Sequence, residues 1–284
     1  MIRLDAATVL LQWATGGLAF LWVTTRRREV SLGYGWLLRG TYGLMALGAL
    51  FLGRRYGEEV ILRDVASAGV AVASAVALAV SIHRKAAGVA GERERVEVRS
   101  ARVTAMTGID RQRDAIDQSA PEFPPSLDLL APVIGLLGLL AAGVAAGDPA
   151  ALSVARVVVG AAFLGSITDA MLLGHWYLVQ PGMPRGPLLE LVRWVAMIWP
   201  FEVAVILWPV GMVSVIDGTI DDGYNGILGW MWVACAVTTI VLVGVTRAAL
   251  RERQYSAVMA ATGLLYLAIL TAFGTDLIAR AVLA

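Results

Sequence analysis

The apolar residues of this chain fall into long unbroken blocks, and nothing else in the sequence restricts its fold as strongly. Residues 7–23 read "ATVLLQWATGGLAFLWV" and residues 65–81 read "VASAGVAVASAVALAVS". A hydrocarbon core of about 30 Å takes about 20 helical residues to cross. Lipid offers no partner to an unpaired backbone group, so a spanning segment must be a helix or a strand of a closed barrel. These blocks show no two-residue alternation, which selects helices. Eight of them are long enough, near residues 6–23, 36–53, 65–82, 129–147, 152–178, 188–213, 227–246 and 256–275. The expected fold class is all-α, a polytopic integral membrane bundle of about eight transmembrane helices. Composition agrees, since 16% of residues are charged, where a soluble domain carries about a quarter.

Three spans occupy residues 1–82 and five occupy residues 128–284, with one long polar segment, 83–127, between them. That segment mixes both signs in "GERERVEVRSARVTAMTGIDRQRDAIDQ" and closes with the helix-breaking "SAPEFPPS". A mixed-charge run of this kind is a solvated loop or surface helix, and its sharper reading is a docking surface for another protein subunit. The first block is read as a retained span, because its arginines follow it and it is longer than a signal-peptide h-region.

Basic residues set the orientation. With the N-terminus outside, the inside loops hold fifteen Arg and Lys, among them Arg26, Arg27, Arg28, Arg84, Lys85 and Arg185, against five outside: Arg3, Arg54, Arg55, Arg63 and Arg280. Both termini are therefore expected outside, in the cytoplasmic membrane of a prokaryote, as a multi-pass protein with lipid around it. Trp22, Trp36 and Trp176 fall near inside ends, and Trp208, Trp230 and Trp232 near outside ends, as interfacial belts do. Small residues crowd the third and fourth spans, which suggests that these two lie inside the bundle.

Several chemistries are excluded or disfavoured. Cys235 is the sole cysteine, so no internal disulfide or Cys-ligated cluster forms from this chain. Haem is not expected, because His83 and His175 are the two available histidines and His83 sits at the membrane lip before Arg84 and Lys85. No metal site is expected. The chain lacks a G-x-S-x-G nucleophile motif, a P-loop and a dinucleotide fingerprint. A net charge of +1 gives no reason to expect nucleic acid. The loop "DGTIDDGYNG" lacks the ligand spacing and terminal Glu of a calcium loop, and reads as an acidic turn.

Ionisable residues at membrane depth are costly and mark functional sites by default. Arg39, Arg156 and Arg280 lie near span ends, where they are expected to snorkel, and Asp276 is one turn from Arg280. The remaining cases cluster around "LLGHWYLVQPGMPRGPLLELVRW", residues 172–194, where the fifth and sixth spans meet. Folding these spans into a hairpin brings His175 level with Glu190 and Arg193 at the inside surface. Asp169 comes deeper and Glu202 reaches mid-membrane beside Pro200. The expected catalytic set is Asp169, His175, Glu190, Arg193 and Glu202. Trp176, Tyr177, Trp194 and Phe201, with His175, are the expected walls of a cofactor groove.

An aromatic groove with an imidazole and carboxylates at its mouth suits a quinone, whose reduction needs protons and whose ring needs flat walls. The first expectation is accordingly a membrane subunit of a redox complex, binding quinone or conducting protons between the fifth and sixth spans. A proton-coupled secondary transporter built on Glu202, Asp169 and the Pro200 kink is the second. The third is a scaffold or assembly subunit whose charges hold helices together.

Overall fold

The computed structural model describes residues 5–91, 94, 97–98, 121–180, 183–208 and 211–283. Among them all regular structure is helical. Eight long helices follow in order: α1 (Ala6–Thr25), α2 (Leu32–Arg55), α3 (Ile61–His83), α4 (Leu130–Ala145), α5 (Ala150–Val179), α6 (Gly186–Leu207), α7 (Ile227–Ala249) and α8 (Tyr255–Val282). A 3-10 turn, Pro125–Leu129, leads into α4, and a one-turn helix, Met212–Ile216, follows α6. Seven of the long helices are long and apolar enough to cross a membrane. The exception, α6, has 22 residues but carries Glu190, Arg193 and Glu202. The chain is a multi-pass helical membrane protein.

Local signals explain the helix ends. The Asp5 carboxylate accepts from the N–H groups of Ala7 and Thr8, both at 3.2 Å, and so caps α1. In the acidic turn Asp222 does the same for α7, accepting from Gly226 and Leu228 N–H at 2.8 and 2.9 Å. Pro187 opens α6, where a missing N–H costs nothing, whereas Pro200 lies in its interior and removes a bond. Gly211 lies so close to α6 that any side chain there would overlap the Ile206 carbonyl. There Arg156 of α5 donates to the Val205 carbonyl at 2.8 Å, giving a last-turn acceptor of α6 a charged partner.

Helix α1 is the most enclosed span, packed against α2, α4 and α5. Helix α5 is the second hub, touching α1, α4, α6 and α8, while α7 packs chiefly on α8. The small-residue spans α3 and α4 are expected inside; they pack on each other, α3 also on α2 and α4 also on α1 and α5, while each keeps an outward face. Their buried small residues crowd the inward face, and Val72, Val76, Val133 and Leu137 are exposed on the other. The tightest crossing joins α1 and α5, where a methyl group on Gly165 would overlap the backbone of Gly16. Small residues are the means by which membrane helices approach this closely. Gly165→Ala should force the two hubs apart and lower stability by about 1–3 kcal/mol, read as an earlier thermal transition in detergent; an unchanged transition would refute the crossing.

Two further expectations need correction. Arg39, Arg156 and Arg280 do not snorkel: each is at most 2% exposed, because a protein acceptor lies closer than the interface. Trp232 is no belt residue, being buried with its indole N–H donated to the Thr275 carbonyl at 2.9 Å, whereas Trp208 and Trp230 are exposed.

Candidate functional site

The hairpin of α5 and α6 forms, but its polar residues go to separate neighbours. His175 is exposed, and its Nδ1 lies 3.0 Å from the Tyr266 hydroxyl of α8. Glu190 meets Arg26 and Arg27 beyond the end of α1, at 2.5 and 2.6 Å, and not Arg193, which is exposed. Asp169 turns towards α2, where the Tyr42 hydroxyl donates to its Oδ1 at 2.5 Å and the Tyr34 hydroxyl donates to its main-chain carbonyl at 3.2 Å. Glycine at position 17 makes this possible, since any side chain there would run into the Tyr42 ring.

The expected groove walls also diverge. Trp176 donates to Ser31 at 2.9 Å and stacks edge-on against Tyr34, with ring centres 6.1 Å apart. Tyr177 is buried, with its hydroxyl donated to the Pro184 carbonyl. Trp194 packs edge-on against Phe20 of α1, and Phe201 faces out of the bundle. A shared helical stripe on α6 thus serves partly as a lipid face. The turn itself is fastened by Arg185, whose guanidinium donates to the carbonyls of Leu250 at 3.2 Å, Arg253 at 3.0 Å and Gln254 at 2.9 Å. The cytoplasmic-side pocket expected between the fifth and sixth spans is therefore not assembled from His175, Glu190, Arg193 and Asp169.

Glu202 belongs to a different group, nearer the end of the bundle that bears the termini. It is fully buried, and neither carboxylate oxygen has a hydrogen-bond partner among the described residues. Its electrostatic neighbours are Asp276 and Arg280 of α8. Arg280 donates through Nε to Asp276 Oδ2 at 2.7 Å and through Nη2 to Gln12 Oε1 of α1. Gly160 of α5 closes the group, since a methyl there would meet Gln12 and Asp276. All four residues are 0% exposed, and Gln12 Nε2 and Asp276 Oδ1 are also without partners among the described residues. Four helices thus converge on two carboxyls, one guanidinium and one amide with hydrogen-bonding capacity left over.

Arg280 also borders open space at one end of the bundle. It lines a cavity of about 400 Å³ at the terminus-bearing end, together with Asp5, Thr8, Tyr56, Arg63 and Val157. Arg63 is held there by Asp5 at 2.6 Å and by Asp64 at 2.9 Å. The sequence did pair Asp276 with Arg280, but as a local neutralisation. The missed member is Gln12, whose signal was a lone amide in an apolar span.

A third polar group sits at the opposite end. Arg39 meets Asp128 through two hydrogen bonds of 2.7 and 2.8 Å, and Thr25 adds a third to the same carboxylate at 2.9 Å. Among the described residues no set of three His, Cys, Asp or Glu side chains could hold a metal. Residues 99–120 of the charged segment, expected as a docking surface, lie outside the described residues. No family model, curated relative or solved structure matches the chain.

Proposed function

We propose that this protein is a secondary transporter of a prokaryotic cytoplasmic membrane, in which Glu202 takes up and releases the coupling proton. The observation that carries this reading is a carboxyl group sealed among four helices with both oxygens unpartnered among the described residues. An ionised carboxylate placed so costs several kcal/mol unless paired. The same group becomes stable when it holds a proton, which makes it a two-state element. Asp276 and Arg280 supply the charge that such a switch works against, since a guanidinium shared by two carboxyls can neutralise one at a time. The cavity lined by Arg280 lies on the terminus-bearing side, where a proton would approach. Pro200, two residues before Glu202, weakens the helix that carries the carboxyl.

A redox-subunit reading leans on a shared mouth for His175, Glu190 and Arg193, so their separate neighbours favour the transporter. Infrared difference spectra of the protein in lipid, recorded between acidic and alkaline buffer, test the proposal. The expected result is a protonated-carboxyl band that Glu202→Gln removes and His175→Ala leaves intact. A spectrum with no buried-carboxyl change, or one unaffected by Glu202→Gln, would overturn it.

A further inference from the structure

A second cavity, independent of the Glu202 group, lies on the flank of the bundle. It is a groove of about 410 Å³ between α1, α4 and α5, walled by residues that include Thr15, Trp22, Pro132, Leu136, Ala162 and Trp194. Val133 and Leu136 on its rim are exposed, so the groove opens sideways into hydrocarbon. Its walls are almost entirely carbon. From Thr15 to Arg26, the two ends of its α1 wall, eleven residues span about 16 Å. That is about half of a 30 Å hydrocarbon core, the depth of one leaflet and hence of one acyl chain.

The arginine-rich mouth sets the headgroup. Arg26 lines the groove, stacks over Trp22 at 5.1 Å and remains 36% exposed in its side chain. Arg27, beside it, is 44% exposed. These two guanidiniums share one carboxylate, Glu190, which leaves a net positive charge. The Arg27 contact to Glu190 Oε2 at 2.6 Å is ionic without hydrogen-bond alignment, because that oxygen counts no hydrogen-bond partner among the described residues. Arg28 adds nothing, since Glu122 holds it at 2.9 Å.

We propose that this groove seats one anionic phospholipid of the leaflet at the arginine-rich end, with an acyl chain along α1 and its phosphate on Arg26 and Arg27. Charge complementarity selects the anionic headgroup, and the one-leaflet length selects a lipid chain. A second copy of this chain would instead need the groove walls to continue as a flat interface. Glu190 then acts as the competitor that the phosphate displaces.

Native mass spectrometry of the protein in mild detergent, with graded phosphatidylglycerol or phosphatidylcholine, is the test. Phosphatidylglycerol should be retained several-fold more strongly than phosphatidylcholine. Arg26→Gln and Arg27→Gln should each weaken that retention about fivefold, the usual effect of one basic side chain at an anionic surface. Glu190→Gln should strengthen it, an outcome that a purely structural salt bridge does not give. Ala162→Phe, which fills the groove from α5, should abolish retention while the thermal transition persists. Equal retention of the two lipids would overturn the proposal. So would indifference to Glu190→Gln and Ala162→Phe, or displacement of phosphatidylglycerol by a quinone.

Discussion

Glu202→Gln is expected to abolish proton-coupled transport while the purified protein remains folded. Glutamine keeps the shape of a protonated glutamic acid and cannot ionise, so it freezes the switch in its neutral state. Positioned acid–base groups contribute about 10² to 10⁴ in rate, and a loss of at least 100-fold is expected in proton-driven uptake by proteoliposomes. Stability should hold or rise, because the unpartnered buried oxygens of Glu202 impose a desolvation cost that a neutral amide reduces. Asp276→Asn has a different signature. It removes the negative charge that faces Arg280 at 2.7 Å, weakening the compensation of a buried guanidinium, so both stability and transport should fall. A Glu202→Gln protein with wild-type coupled transport would eliminate the carboxyl as the proton carrier.

The membrane bundle was legible because its signal is summed over eight long blocks, each set by the thickness of hydrocarbon. Even the least apolar block, α6, is a full helix despite three charges. Side-chain direction was less legible. Depth along a hairpin placed Asp169 and Glu202 at sensible levels but gave no information about which neighbour each faced. Asp169 of α5 met Tyr42 of α2, residues far apart in the sequence, because α2 closes on α1 at Gly17 and brings the Tyr42 ring inward. Glu202 met α8 for the same reason. The partition between paired and unpaired charge was also hidden. Glu190 is three residues from Arg193, yet it is served by Arg26 and Arg27 across the bundle. A sequence shows which helices can carry a charge; the order of helices around the core decides where that charge is spent.

That helix order is maintained at the arginine-rich end by Arg39 and Asp128, and breaking this pair is the second large effect expected. Arg39 lies seven residues into α2, about 10 Å from its start, and its guanidinium covers the Phe123 ring at 4.3 Å. Asp128 stands in the 3-10 turn before α4, so the bidentate contact of 2.7 and 2.8 Å joins α2 to the returning chain. Thr25 ties the same carboxylate to the last turn of α1. The side chains are 2% and 1% exposed, so removing one partner strands the other in a medium that cannot solvate it. Such losses cost about 3–5 kcal/mol. Asp128→Ala and Arg39→Ala should therefore each lower the thermal transition sharply, while Arg39→Met combined with Asp128→Leu recovers most of it, because well-packed apolar replacements of a buried pair are often neutral. The recovered double variant should still be cleaved faster by protease between α3 and α4, since Thr25 and the Phe123 stack lose their anchor. If Asp128→Ala unfolds with the wild type, the connection before α4 is held by apolar packing alone and the pair is incidental.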